Sequence, residues 1–193
     1  MDSLTDALGL LVAALGRLRI RYLIGGSVAS SARGAPRATL GVDLLAEIGG
    51  LQAAGFAALL GPDWYPDQQA IRDAIQAGYP FNVIHIPSGQ KFDIFPAAEE
   101  FHQSELSRAT PVSFEVPGRT IRCPVATAED ILLAKLRWYR SGGEVSECQW
   151  TDVLGILAMN PAADRDCLLA WAKRLRVEDL LARAINESAS ESG

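Results

Sequence analysis

Residues 25–48 read GGSVASSARGAPRATLGVDLLAEI, and this stretch organises the first half of the chain. It begins with a glycine turn, continues through small residues typical of a helix start, and ends in a β-type run that carries one inward-facing acid, Asp43. Residues two apart in a strand lie on the same face, so Gly41 and Asp43 point to the same side of the sheet. A glycine beside an acid on one face raises the question of whether a second acid is missing.

Length and charge limit the classes of function. The chain has 193 residues, 49% of them hydrophobic, which is enough for a substantial core. Its formal net charge of -5 argues against binding to bulk DNA, because phosphate contacts need clustered Lys and Arg. A local basic groove is left open by this argument.

The cysteines and the N-terminal segment indicate a compartment. Cys123, Cys148 and Cys167 are far apart and have no C-x-x-C spacing, so neither a zinc site nor a disulfide framework is predicted. The N-terminal leucine-rich segment has acids before it and basic residues after it, the reverse of a signal peptide, and is too short to span a bilayer. We therefore expect a cytoplasmic protein with no membrane partner.

Hydrophobic periodicity divides the chain into two halves. The first half alternates helical patterns with β-type runs, including two hairpins, FNVIHI to KFDIF and VSFEV to RTIRC. The run TLGVDLLAEI is mostly apolar on both faces, which predicts a central strand covered on both sides. From Thr127 onward four helical patterns follow with no strand between them. The predicted organisation is an α/β core over residues 1–126, a helical region over 127–186 and a disordered tail over 187–193.

Two acids lie in apolar strands of the first half. Asp43 and Asp93 are expensive to bury as isolated carboxylates, so each is expected at a strand end or edge, bound to donors or to a metal. Two acids from adjacent strands facing one cleft form a magnesium site in outline, since Mg²⁺ binds a few carboxylates together with substrate phosphates. The alternative is that Asp43 caps a helix or pairs with Arg37.

Two further features are candidates for binding phosphate. Gly25, Gly26 and Ser27 follow a strand and precede a helix, where backbone N–H groups can hold an anion, although a plain strand-to-helix turn with a Ser cap explains them too. Lys135 lies beside apolar helix positions and could reach a polyphosphate, or it could be a solvated lysine. Asp152 either fixes a basic side chain or faces water.

These motifs, taken in order, resemble those of a known superfamily. GG-S-V-A, then R-x-T, then V-D-L-L and a later K-F-D are similar to the nucleotidyltransferases with a DNA polymerase beta-like fold. The helical half resembles small uncharacterised bacterial nucleotidyltransferase-like proteins related to abortive-infection toxin transferases. The resemblance implies an α+β fold, with a mixed sheet flanked by helices and then a C-terminal helical bundle.

The resemblance also implies roles for individual residues. It gives contacts with the nucleotide to Gly25, Gly26, Ser27, Arg37, Thr39 and Lys135. It gives catalytic roles to Asp43, Asp93, Lys135 and Asp152, with Asp43 and Asp93 as ligands of Mg²⁺ or Mn²⁺. The implied reaction is metal-dependent transfer of a nucleotidyl group from a nucleoside triphosphate to an unknown acceptor, which could be a small molecule, a protein or an RNA end.

Gly41 occupies the position where that superfamily has the first acid of its D-x-D pair. Loss of a carboxylate weakens a two-metal centre, so the site is predicted to be impaired or altered. One interpretation is an enzyme with a single metal, or with another acid such as Glu47 as the missing ligand. A second is a degenerate nucleotide-binding or protein-interaction module, for example in a toxin–antitoxin pair. A third is that Gly41 is an introduced substitution or a variant.

Overall fold

The computed structural model describes residues 4–33, 41–65, 68–116 and 118–191. Within these ranges the strands are β1 (Tyr22–Ile24), β2 (Gly41–Ala46), β3 (Trp64–Tyr65), β4 (Phe81–His85), β5 (Gln90–Pro96), β6 (Thr110–Val116) and β7 (Arg119–Val125). The helices are α1 (Leu4–Arg17), α2 (Gly26–Ala32), α3 (Gly50–Leu60), α4 (Gln68–Ala77), α5 (Glu100–Arg108), α6 (Ala128–Ser141), α7 (Glu147–Met159), α8 (Arg165–Leu175) and α9 (Glu178–Glu191).

The strands form one mixed sheet in the order β3-β4-β5-β2-β1-β7-β6. β2 is central, with β5 parallel on one side and β1 antiparallel on the other. Both predicted hairpins are present, as the antiparallel pairs β4–β5 and β6–β7. The predicted α+β class, a mixed sheet with helices and a helical C-terminal region, is confirmed.

The two faces of β2 differ. Val42 and Leu44 are fully buried and lie on the face that also carries buried Phe92 and Ile94 from β5. Gly41 and Asp43 lie on the opposite face and are only partly buried. The expectation that this strand is covered on both sides is therefore wrong for its first half, because a covered face would enclose a carboxylate at a large desolvation cost.

The chain divides into two compact units. The first comprises Met1–Val28 with Ala38–Ala126 and contains the whole sheet, and the second comprises Ala29–Arg37 with Thr127–Gly193. In the first unit α3 packs against α1 and α4. In the second unit α6 contacts α7 and α8, and α9 contacts the same two helices. The division into domains at residues 126 and 186 stays a prediction.

The C-terminal helix extends further than expected. α9 continues to Glu191, so residues 187–191, predicted as part of a disordered tail, are helical. Glu187 explains the extension, because it accepts hydrogen bonds from Arg183 Nε at 2.8 Å and from Trp150 Nε1 at 2.6 Å. A helical pair four residues apart and an anchor on a second helix stabilise this turn.

One strand was not predicted, namely β3, whose two residues pair with His85 and Ile84 of β4. Among the described residues, no helix has the length and apolar character needed to cross a membrane.

Candidate active site

The two acids of the sheet lie side by side. Asp43 of β2 and Asp93 of β5 are direct partners in the parallel register, so their side chains share one face. The backbone N–H of Gly25 donates to the carbonyl oxygen of Asp43 at 2.9 Å, which holds the turn after β1 against β2. The expectation of two acids from adjacent strands on one face therefore agrees with the structure. The expectation that each acid lies at a strand end or edge is wrong, because both lie within interior strands of the sheet.

Gly26 lies in close contact with the Asp43 carboxylate. Its φ of 56° is in the left-handed region, and a Cβ placed on it would lie 1.7 Å from Asp43 Oδ2. Only a glycine can combine this backbone angle with this approach. Ser27 follows as a buried residue at the start of α2. The glycine turn therefore packs directly against the Asp43 carboxylate. The helix that follows, α2, has only seven residues.

Gly41 is the register partner of Lys91 on β5. A Cβ placed on Gly41 would lie 3.2 Å from the carbonyl oxygen of Lys91, and 3.8 Å from both Lys91 Cε and Asp93 Oδ2. A side chain at position 41 would therefore enter a space bordered by these two residues.

Lys91 is the residue of this site that the sequence interpretation missed. Its Nζ lies 2.8 Å from Asp93 Oδ2, with the lysine side chain 48% exposed and the aspartate side chain 26% exposed. The motif K-F-D contained the signal, because residues two apart in a strand share a face. Lys91 therefore belongs to the same face as Gly41, Asp43 and Asp93.

This face does not fit a centre that holds two metal ions. No group of three or more His, Cys, Asp or Glu side chains suited to a metal occurs in the part of the chain that the structure describes. Of the two carboxylates present, that of Asp93 is paired with an ammonium group. Two ions bound by a shared set of acids need more negative charge than this arrangement supplies.

Glu47 does not replace the missing acid. It follows the end of β2 and pairs with Arg21 at 3.5 Å, beside the start of β1. Asp43 lies beside Gly25, after the other end of β1, and four residues of strand span about 13 Å. The suggestion that Glu47 supplies the ligand is therefore wrong.

In the helical unit, Lys135 of α6 and Asp152 of α7 form a buried pair. Lys135 Nζ lies 2.7 Å from Asp152 Oδ2, and the two side chains are 8% and 12% exposed. Thr127 caps α6 by accepting a hydrogen bond from the backbone N–H of Asp130. Lys135 is therefore not a solvated lysine, and Asp152 fixes it, as one of the alternatives proposed.

Arg37 and Thr39 lie outside the described residues.

Three features define the class of fold: the central mixed sheet, the glycine turn packed on Asp43, and Asp93 in register with Asp43. The chain has the nucleotidyltransferase fold, as the resemblance of its motifs predicts. Two solved structures of the antibiotic-resistance factor ANT(2'')-Ia are similar to it. The solution structure has a TM-score of 0.50 and 16% identity, covering 100% of both chains. The crystal structure of the complex with adenylyl-2''-tobramycin has a TM-score of 0.50 and 16% identity, covering 89% of this chain and 97% of the other.

A third solved structure is an antigenic nucleotidyltransferase-like protein from Paracoccidioides brasiliensis. It has a TM-score of 0.49 and 18% identity over 93% of this chain and 91% of its own. A scan against protein-family models gives no match, and a search of curated proteins gives none either. At these identities the likeness establishes the fold alone.

Proposed function

We propose that this chain binds a nucleoside triphosphate and transfers its nucleotidyl group to an acceptor hydroxyl. The observation that carries the proposal is the placement of Asp43, which is in register with Asp93 and packed against Gly26. The fold supports it, and so does the resemblance, which gives Gly25, Gly26 and Ser27 to the nucleotide phosphates. The acceptor is a small molecule, a protein or an RNA end.

The chemistry of nucleotidyl transfer determines which groups the site must supply. The acceptor hydroxyl gives up its proton to a base and its oxygen forms a bond to the α-phosphorus, while the bond to pyrophosphate breaks and negative charge develops on the leaving group. A carboxylate near the attacking hydroxyl and positive charge near the phosphates favour this step. Asp43 is suited to be the carboxylate near the attacking hydroxyl. The phosphate role of Lys135 stays a prediction of the resemblance.

Dependence on Mg²⁺ or Mn²⁺ is part of what the resemblance implies. The described carboxylates do not fit a two-ion centre, so the proposal assigns no step to a metal. A cytoplasmic location, predicted from the cysteines, is kept as part of the proposal.

A second candidate function is binding of a nucleotide, or of a protein partner, without transfer. Gly41 and the Lys91–Asp93 pair favour it, because they leave this face with fewer available carboxylates than the resemblance implies. A role in a toxin–antitoxin pair is a further extension of this candidate and stays a prediction.

Transfer of label from α-³²P nucleoside triphosphates to a cell extract tests the proposal. The parent chain is compared with Asp43→Asn and with Asp63→Asn, a change of an exposed acid in a turn that serves as the matched control. Binding of the same nucleotides is measured in parallel, with Mg²⁺ and with a chelator.

Labelled product that depends on Asp43 and not on Asp63 is the expected result. Nucleotide binding without any product would favour the second candidate, and neither binding nor product would refute both the transfer and the binding of a nucleotide. A signal that survives Asp43→Asn unchanged would remove Asp43 from the mechanism.

A further inference from the structure

A side chain at position 41 would lie in contact with Lys91. Asp93 Oδ2, which lies 3.8 Å from a Cβ placed on Gly41, is also the oxygen that Lys91 holds at 2.8 Å. An ion held between position 41 and Asp93 would therefore have to displace the ammonium group of Lys91. The two positions are register partners, so this competition follows from the strand pairing itself.

Lys91 has the properties of a binding cation as well. An ammonium group has three donors, so the ion pair with Asp93 leaves donors for a ligand. The side chain is half exposed, so its head is accessible from solvent. A lysine neutralises a phosphate as a point charge and needs no fixed geometry.

We propose that Lys91 is a resident cation of this site, which excludes a divalent ion from Asp93 and presents its ammonium group to the nucleotide phosphates. The second half of this statement rests on the proposed function, since it requires that a nucleoside triphosphate binds here. The first half concerns only the chain and a metal ion. This first half predicts that Gly41 and Lys91 both weaken the binding of a metal ion and that their effects are coupled.

Binding of Mn²⁺ alone, followed by electron paramagnetic resonance, tests the exclusion. Four chains are compared: the parent, Lys91→Met, Gly41→Asp and the double variant Gly41→Asp/Lys91→Met. Lys173→Met, which removes an exposed lysine at the end of α8, is the matched control in each background. Circular dichroism confirms that every variant is folded.

The double variant is expected to bind Mn²⁺ at least about tenfold more tightly than Gly41→Asp, because it removes a positive charge from within a few ångströms of the ion. Lys173→Met should leave affinity unchanged. Equal affinity of the double variant and Gly41→Asp would overturn the proposal. So would tight binding by the parent that is lost in Asp93→Asn, or failure of the folded double variant to bind at all.

Binding of ATP in excess chelator tests the phosphate contact. The parent is expected to bind ATP without any divalent ion, and Lys91→Met to bind at least about tenfold more weakly, while Lys173→Met is unaffected. Equal binding by the parent and Lys91→Met would overturn this half. If no chain binds ATP, the proposed function fails, and the Mn²⁺ comparison still decides whether Lys91 excludes a metal.

Discussion

Replacing Gly26 by alanine should disrupt the site more than any other single-methyl change in the turn. The new Cβ would lie 1.7 Å from Asp43 Oδ2, 2.6 Å from its Cγ and 2.9 Å from its Cβ. Rotation of the Asp43 side chain about its Cα–Cβ bond relieves the first two contacts only, so the backbone of one strand or of the turn must also shift. The alanine would in addition have to adopt a φ near 56°.

The magnitude follows from these two costs. A left-handed backbone costs an alanine about 1–2 kcal/mol, and overpacking a well-packed site typically adds about 1–3 kcal/mol. Partial relaxation lowers the sum, so we expect a loss of about 2–4 kcal/mol in the free energy of unfolding. For a chain of this size the melting temperature should fall by roughly 5–15 °C.

Gly25→Ala provides the matched control. A Cβ there would have no neighbour closer than 3.9 Å, and Gly25 is not among the glycines with positive φ. Its free energy of unfolding should stay within about 1 kcal/mol of the parent. Urea denaturation of both variants measures the difference, and equal losses at the two positions would refute the packing described here.

A double-mutant cycle separates the contact from the backbone cost. Asp43→Ala removes the two closest contacts of the new methyl group and leaves the 2.9 Å contact with Cβ. Gly26→Ala should therefore cost about 1–2 kcal/mol less in the Asp43→Ala background than in the parent. Strict additivity would mean that the left-handed backbone alone explains the loss.

Three further predictions concern other positions. Gly41→Asp should lower the free energy of unfolding in urea by about 1 kcal/mol, because its Cβ would lie only 3.2 Å from a carbonyl oxygen of the adjacent strand; a stabilised variant would contradict this. Lys135→Met should cost about 3–5 kcal/mol in the same assay, because Asp152 is left buried without its cation, and Lys135→Met/Asp152→Leu should recover most of the loss. The hydrogen bond from Arg140 lowers the pKa of Asp179. Its contribution to stability is thus present above the unfolded pKa of about 3.9 and lost as pH falls below it, so Asp179→Asn should flatten the acid limb of the stability curve, whereas an unchanged limb would refute the pairing.

The features predicted from the sequence are those that local patterns determine. The strand character of β2 and the turn signals of both hairpins depend on near neighbours along the chain, and so does the shared face of Gly41 and Asp43. The resemblance added the fold, because an ordered set of motifs carries topology that periodicity does not. The roles that it implies for Asp43 and Asp93 stay predictions.

The features that were missed depend on contacts between distant segments. β3 has two residues, and its strand character comes from its pairing with β4, which no local pattern indicates. The last turns of α9 are held by Trp150 on another helix, so a polar composition alone suggested disorder there. Lys91 could have been found, since the period of two in K-F-D places it beside Asp93.

The relation between Gly41 and Lys91 changes how a restored acid should be interpreted. A carboxylate at position 41 would lie close to the stem of Lys91, whose ammonium group already reaches Asp93. The new acid would therefore form an ion pair with Lys91 in preference to binding a metal ion, because one ammonium group can pair with two carboxylates on the same face. If Gly41→Asp alone brings no gain in transfer, the scaffold can still be intact, because Lys91 remains. Only the double variant Gly41→Asp/Lys91→Met tests whether carboxylates on these two strands can bind a metal ion in the absence of Lys91.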